Sequence, residues 1–184
     1  MSDLTRTGVV KLIAVATYPL NLISVNLEGV DLSYLDLTNA VLTNAVLTNA
    51  KLNEAKLEGA DLTNAVLTNA ELNNADLGRA NLTNADLRRA NLTNAYLGRA
   101  NLTNADLRWA NLEGANLSGA CLIGAKLMDA EGNSAELNAA KANEEASLAA
   151  NMAKVEIQFK IYRAIFIIIC IIAVIGLYQE IFLK

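Results

Sequence analysis

Residues 80–110 read ANLTNADLRRANLTNAYLGRANLTNADLRWA, and this stretch decides the fold. It is a succession of five-residue units in which Ala comes first, Asn or Asp usually comes second and Leu comes third. Outward from this stretch, Leu occupies every fifth position from Leu22 to Leu127, twenty-two times without interruption. Ala recurs with the same spacing from Ala40 to Ala130. The organisation of the chain therefore follows from this internal repeat.

A period of five residues fits neither a plain helix nor a plain strand. On an α-helix, five residues turn the chain by about 500°, so the leucines would spiral around every face. On an extended strand, side chains alternate between faces, so leucines five apart would also change sides. Ala and Leu lie two residues apart, however, as two inward residues of a short strand do, and the other three residues can hold a bend. Each unit is then one straight side plus a corner.

Four such corners of about a right angle close a square coil of about 20 residues, and successive coils stack at the strand spacing of roughly 4.8 Å. Residues 21–130 then form about 5.5 coils around a column of Leu, with Ala where the interior is tight. Asn, Asp and Gly suit the corners because they tolerate unusual backbone angles and bond to turn backbone. The predicted fold class is an all-β solenoid.

The repeated unit A(D/N)LXX, seen in Ala80–Asn84 and Ala85–Arg89, resembles that of the pentapeptide-repeat family. The wording ANLTNADL also looks like that of members abundant in cyanobacteria. The resemblance covers residues 21–130 and implies a right-handed quadrilateral β-helix. Some proteins of this family present acidic columns that imitate DNA and occupy topoisomerases, which gives one candidate role for this chain.

The composition argues against an enzyme. The chain has no His, which removes the usual base of a hydrolytic triad and the commonest zinc ligand. Cys121 and Cys170 lie far apart and match no metal-ligand or redox spacing. We therefore predict no catalytic residue, no metal site, no cofactor and no small-molecule substrate. The net charge of −4 argues against a nucleic acid partner.

The square coil also sorts the outward residues into columns. One face is a polar ladder of Thr and Asn, which serves either turn chemistry or docking. A second face stacks Arg88 on Arg108 and Arg89 on Trp109, beside the column of Asp86 and Asp106, and a neighbouring face carries Arg79, Arg99 and Tyr96. Arg and aromatic residues are enriched in binding hot spots, and the alternative is a solvated face with local Arg–Asp and Arg–Trp contacts. The predicted partner-binding residues are Arg79, Arg88, Arg89, Arg99, Arg108, Trp109 and Tyr96, and the ladder comprises Thr43, Thr63, Thr83, Thr103, Asn44, Asn64, Asn84 and Asn104.

Both ends of a β-helix expose strand edges that must be covered. Residues 1–20 form the predicted N-terminal cap, and a signal peptide is the competing interpretation of their apolar run. Residues 131–160 form a predicted helical stalk, with Asn133 and Glu136 as a capping box at its start. The stalk carries an apolar stripe that could pack on the β-helix, on a partner helix or at a membrane surface. The stripe residues are Leu148, Met152, Val155, Phe159 and Tyr162.

Residues 161–184 form a predicted transmembrane helix. Ala164–Tyr178 reads AIFIIICIIAVIGLY, which contains no charged residue. Its helical length of about 22 Å falls short of a hydrocarbon core of about 30 Å, but Ile161 precedes it and Ile181 to Leu183 extend it. A helix buried in a soluble domain is the alternative. The predicted membrane residues are Ile165, Phe166, Ile167, Ile168, Ile169, Ile171, Ile172, Val174, Ile175 and Leu177.

The distribution of basic residues predicts the orientation. Lys154, Lys160 and Arg163 precede the apolar segment, whereas Lys184 alone follows it, which keeps the β-helix on the cytoplasmic or stromal side. In a cyanobacterium or plastid that membrane could be the thylakoid. The sequence thus predicts a noncatalytic, single-pass membrane scaffold that contacts lipid and docks as an accessory subunit on a membrane protein complex, for example a photosynthetic one. The alternative is a DNA-mimic regulator of a topoisomerase.

Overall fold

The computed structural model describes residues 5–15, 19–132, 137–140, 149, 151–160 and 162–163. The chain divides into two compact units, Met1–Glu144 and Glu145–Lys184. The first unit begins with helix α1, Arg6–Val15, and continues into the repeat. The second unit contains the helical residues 151–160 and 162–163.

The repeat forms coils of 20 residues. Parallel β-bridges join each second residue of a unit to the residue 20 positions later, from Asn21 with Val41 through to Asn111 with Glu131. Each bridge is isolated, so every five-residue side of a coil has one residue that forms β-bridges to the neighbouring coils. The predicted coil length and the four sides of five residues are therefore confirmed.

The inward positions are the predicted ones. The third-position leucines from Leu22 to Leu117 are at most 2% exposed, and the first-position alanines from Ala40 to Ala110 are at most 1% exposed. Near the last coil, Ala120 and Leu122 are partly buried and pack against the same column. Burial of each Leu contributes roughly 1.5–3 kcal/mol before chain entropy is subtracted, so the column is the main source of stability.

The backbone hydrogen bonds explain why the unit has five residues. The third and fifth residues donate their N–H groups to the following coil, and the second donates to the preceding coil. The first residue of the next unit donates to the carbonyl of Leu and closes the turn. Where the second residue is Asn or Asp, the fourth N–H bonds to its side chain. For residues 81–85, the last four residues of one unit and the first of the next, these five N···O distances run from 2.7 to 3.2 Å. Every donor therefore has a partner, as a close-packed backbone requires.

Each corner is made by a residue in the left-handed region. The fifth residue of every unit from Ser24 to Asp129 has a positive φ, for example 57° at Asn84. The hydrogen bond from the first residue of one unit back to the preceding Leu carbonyl, together with this φ, is the pattern of a type II turn. Asn and Gly fill most of these positions because they adopt left-handed angles at the lowest cost.

Both ends of the column carry an apolar side chain. Val9 of α1 is fully buried in the core cluster, and Ile13 is partly buried against it. At the other end Leu137 is fully buried in the same cluster. A Cβ on Gly132 would lie 2.8 Å from Cδ2 of Leu137, so this glycine leaves room for the leucine. The sequence pattern does not predict the burial of Leu137, because this residue lies beyond the repeat and outside the apolar stripe. Asn133 and Glu136, the predicted capping box, lie outside the described residues.

In the second unit, the side chains of residues 151–160 are all exposed. Four of the stripe residues are therefore at the surface, with exposed fractions from 56% for Val155 to 74% for Met152. Leu148, the first member of the stripe, lies outside the described residues, as do the membrane residues between Ile165 and Leu177. Within the part of the chain that the structure describes, no helix is long and apolar enough to span a bilayer.

The tight interior predicts the effect of enlarging an Ala. Ala85 is fully buried, so Ala85→Leu should overpack the column and lower the free energy of unfolding by about 1–3 kcal/mol. Urea unfolding followed by circular dichroism measures the change. Glu113→Leu, which places the same side chain at an exposed position, is the control. Equal stability of Ala85→Leu and the parent protein would contradict a close-packed column.

Candidate functional site

Two Arg–Asp pairs form the base of the candidate site. In the pair Arg88–Asp86, Nε donates to Oδ1 at 2.8 Å and Nη2 donates to Oδ2 at 2.5 Å. The pair Arg108–Asp106, one coil later, repeats this geometry at 2.8 and 2.6 Å. Each pair joins the second and fourth residues of one unit, which point outward on the same side. Such bidentate pairs fix the planar guanidinium in one orientation.

The electrostatics of the pairs follow from these bonds. The Arg88 guanidinium, which donates to Asp86, lowers the pKa of that carboxyl although partial burial opposes the shift. Arg108 lowers the pKa of Asp106 in the same way, with a smaller contribution from Lys126. Both carboxylates are therefore held in the charged form, and neither is suited to act as a general acid near neutral pH.

Two guanidinium groups lie over the Trp109 ring. The Cζ atom of Arg108 is 5.4 Å from the centroid of the Trp109 ring, and that of Arg89, one coil earlier, is 5.6 Å from it. These distances are within the range of cation–π contacts. The ring is still 42% exposed. We call Arg89, Arg108 and Trp109 together the Trp109 stack. Because Asp106 orients Arg108, the stack is held in place before any partner binds.

The backbone under this stack is unusual for the residues that it carries. Arg89 and Trp109 are fifth residues of their units, with φ of 57° and 61°. A left-handed angle costs roughly 1–2 kcal/mol for a residue with a Cβ, and Asn or Gly would reduce that cost. Strained residues in exposed positions are often retained for function. The sequence alone pointed to Trp109 as an exposed aromatic residue, and the structure adds this cost.

Arg79, Arg99 and Tyr96 are on a different part of the surface. Arg79 and Arg89 are ten residues apart in the sequence, which is half of a 20-residue coil. The two clusters therefore lie on opposite sides of the β-helix, and the prediction of neighbouring faces is wrong. Within the second cluster, Tyr96 contacts Gly78 and Gly98 and shares a surface trough with Arg79 and Arg99. The structure thus brings the predicted residues together as two separate groups.

The predicted polar ladder is largely bonded to itself. Asn84 donates to Asn64 and Asn64 donates to Asn44, both at 3.2 Å. The Thr hydroxyls bond along the same face, as Thr83 does to Asn81 at 2.6 Å. Because these polar groups already have partners, the ladder offers few strong contacts to another protein. This favours the interpretation as turn and ladder chemistry over that of a docking surface.

The described residues hold little that could perform chemistry. Among them, no cluster of three or more His, Cys, Asp or Glu side chains could hold a metal ion. Cys121 is a partly exposed free cysteine whose Sγ lies 3.4 Å from the Thr103 hydroxyl. The hydrogen bond with Thr103 lowers the pKa of the thiol, helped by the Ile123 N–H. No basic side chain is among the causes of this shift.

Comparison with known families decides the identity of the fold. The family described as pentapeptide repeats matches with eight copies of its repeat. The matched ranges overlap and are 21–59, 45–84, 60–97, 90–129 and 110–143. The chain belongs to the pentapeptide-repeat family. Pentapeptide-repeat proteins fold as right-handed quadrilateral β-helices, so the predicted fold and its handedness hold for the repeat. Proteins of this family are generally structural or interaction proteins.

Solved pentapeptide-repeat structures resemble the chain. Rfr23 from the cyanobacterium Cyanothece 51142 is 31% identical with a TM-score of 0.63, and the match covers 68% of this chain and 99% of Rfr23. QnrB1, a plasmid-mediated fluoroquinolone resistance protein, is 20% identical with a TM-score of 0.50, and the match covers 57% of this chain and 58% of QnrB1. The second likeness shows the fold alone. A search of curated proteins finds no match.

The Arg–Asp pairs predict how stability depends on pH. A carboxyl whose pKa is lowered in the folded state stabilises it above the usual value of about 3.9, and this contribution is lost as the pH falls through the lowered value. We expect Asp86→Asn with Asp106→Asn to lower the free energy of unfolding near neutral pH by about 0.2–1 kcal/mol per pair. The difference from the parent protein should shrink at acid pH. Urea unfolding across this range measures both.

Asn is the suitable replacement because it still accepts the N–H of the fourth residue, as Asn81 does for Thr83 at 3.2 Å. The matched control is Asp76→Asn. Asp76 accepts the Gly78 N–H at 3.0 Å but forms no ion pair with the described residues. A pH dependence that is the same in the double variant, the control and the parent protein would mean that the pairs add nothing to stability.

Proposed function

We propose that this pentapeptide-repeat protein is a noncatalytic scaffold, held in a membrane by residues 161–184, that docks on a membrane protein complex through the Trp109 stack. The observation that carries the docking proposal is the exposed Trp109 ring in cation–π contact with both Arg89 and Arg108. Trp and Arg are the residue types that dominate binding energy in protein interfaces. Their arrangement on a rigid coil keeps the entropy cost of binding low.

The cost of the corner supports this proposal. Asn or Gly fills most fifth positions on the other faces, and these residues adopt the left-handed angle at low cost. At Trp109 the chain instead has a large aromatic residue in the left-handed region, with a neighbouring Arg oriented by Asp106. Local folding gains little from this choice, since an exposed cation–π contact is worth roughly 0.5–1 kcal/mol. Contact with a partner supplies a reason for it.

The membrane part of the proposal rests on the sequence of residues 161–184, which lie outside the described residues except for 162 and 163. Ten strongly apolar residues in this segment favour insertion by roughly 0.3–0.6 kcal/mol each, or about 3–6 kcal/mol in total. Glu180 lies close enough to the end of the segment to reach the far interface. The basic residues that precede the segment favour a β-helix on the cytoplasmic or stromal side, and the thylakoid is one membrane with such a side.

The DNA-mimic alternative finds less support in the geometry. Its candidate carboxylates do not form one acidic surface, since all are second residues of their units, and second residues share a side only when their numbers differ by a multiple of 20. Only Asp86 with Asp106 and Asp36 with Asp76 meet this condition, and Asp86 and Asp106 are neutralised by Arg88 and Arg108. QnrB1, a fluoroquinolone resistance protein, shares the fold at 20% identity. The candidates are Asp31, Asp36, Asp61, Asp76, Asp86 and Asp106.

The docking proposal is tested by native purification of the tagged full-length protein from its own membranes, with mass spectrometry of the recovered proteins. We expect Arg89→Asn with Trp109→Asn to abolish recovery of a partner complex that the parent protein recovers. Asn suits the left-handed corner, so relief of about 1–2 kcal/mol of strain per site should offset the lost cation–π contacts. Urea unfolding should therefore show a variant at least as stable as the parent.

Lys51→Asn is the control, because it removes an exposed positive charge from a side of the coil that does not carry the Trp109 stack. Its partner recovery should equal that of the parent protein. Undiminished recovery with the double variant would overturn the role of the Trp109 stack.

The membrane proposal predicts that the protein stays in the pellet when membranes are washed with high salt and alkaline carbonate. A charged residue at the centre of a transmembrane helix costs about 2.5–3.5 kcal/mol, so Ile168→Lys with Ile172→Lys should cancel the gain from insertion and release the protein. The control is Lys51→Glu, a charge change on the β-helix. Recovery of the parent protein in the salt wash would contradict anchoring.

A further inference from the structure

The face opposite the Trp109 stack contains a trough of about 310 Å³. The ring of Tyr96 forms its floor, and Arg79 and Arg99 form one wall. Glu58 and Ser118 lie at its two ends, since they belong to the coils before and after. The trough lies wholly within the repeat, so its shape is set by the same coil geometry as the core.

Two glycines give the Tyr96 ring its place. A Cβ on Gly78 would lie 2.8 Å from Cε1 of the ring, and a Cβ on Gly98 would lie 2.5 Å from Cζ. Neither glycine has a left-handed φ, so the backbone would accept other residues there, as it does at Glu58 and Ser118. The glycines therefore serve to let the ring lie flat across the coils. Tyr96 remains 48% exposed.

The wall of the trough carries positive charge that the protein balances only in part. Arg79 and Arg99 are fifth residues of units one coil apart, with φ of 56° and 60°, so they stack directly. Adjacent like charges on a ladder are unfavourable. Arg79 has a distant acidic neighbour, with 4.0 Å from Nη1 to Oε1 of Glu58. Among the described residues, no carboxylate lies within ion-pair distance of Arg99.

We propose that this trough binds the carboxylate of a Glu or Asp side chain in an acidic segment of a protein partner. The guanidinium of Arg99 donates hydrogen bonds to the carboxylate, and Arg79 supplies a second guanidinium beside it. The Tyr96 ring supports the methylene groups that precede the carboxylate. This inference rests on the proposed function as an interaction scaffold, and it names the chemistry of a second contact on the face opposite the first.

Size and charge favour this ligand over others. The volume is at the low end of the roughly 300–1,000 Å³ of small-molecule sites, so it suits one or two side chains. The planar Arg fork matches a carboxylate in two parallel hydrogen bonds.

Calorimetric titration of the full-length protein in nonionic detergent at low salt tests the proposal. The probe is an acetylated and amidated oligoglutamate peptide, and oligoglutamine of equal length is the uncharged comparison. We expect oligoglutamate alone to bind, and Arg79→Asn with Arg99→Asn to weaken its binding about tenfold or more, since charge-assisted bonds are lost. Gly98→Ala, which keeps both Arg residues but displaces the ring, should also weaken binding.

The control is Lys51→Asn, which also removes a positive charge but at an exposed position outside both the trough and the Trp109 stack. It should leave the peptide affinity within about twofold of the parent value. Equal weakening by this control would mean that the peptide senses only overall charge, and would overturn the inference. Equal affinity for oligoglutamine, or binding of inorganic phosphate as tightly as the peptide, would also overturn it.

Failure of this inference can be told apart from failure of the proposed function. If partner recovery depends on Trp109 but the peptide does not bind, the trough inference alone is wrong. If the peptide binds in the trough but no partner complex depends on the Trp109 stack, the docking proposal is wrong and the trough stands as a site on its own.

Discussion

The left-handed residue at every corner is the constraint on which the structure depends. A side of five residues can present Ala and Leu inward only if the chain turns by about a right angle before the next Ala. The turn needs a positive φ at the fifth residue, as at Asn84. Once it is made, the coil closes after 20 residues and the remaining N–H groups meet carbonyls on the coils above and below. The Leu column and the surface columns both follow from that closure.

The same constraint separates the surface into independent features. The Trp109 stack and the trough at Tyr96 both contain fifth residues that are neither Asn nor Gly. The two features lie half a coil apart and share no residue. One presents an exposed aromatic ring that two guanidinium groups support. The other presents guanidinium groups beside a partly covered ring. A protein with both could contact two partners, or two parts of one partner, on opposite sides.

The sequence predicted the core well because the core depends on spacing alone. The recurrence of Leu and Ala gave the buried column, the coil length and the chemistry of the corners. It did not give the opposite placement of Arg79 and Arg89, although a separation of ten residues in a 20-residue coil implies it. The burial of Leu137 was not predicted, because the periodicity of the repeat does not extend to it. The sequence did not predict the position of the Tyr96 ring, because glycine at the fourth position follows no pattern in the repeat. Only the structure shows that the ring occupies the space over Gly78 and Gly98.

The hydrogen bonds across the coils connect residues that are close in sequence. Asn81 bonds to Ala60 and Leu82 to Asn101, so no backbone bond of the repeat needs a segment more than about one coil away. Such a chain can be completed one coil at a time, each finished layer serving as the template for the next. A ribosome that releases twenty more residues would therefore release one more foldable layer, and assembly could begin long before synthesis ends.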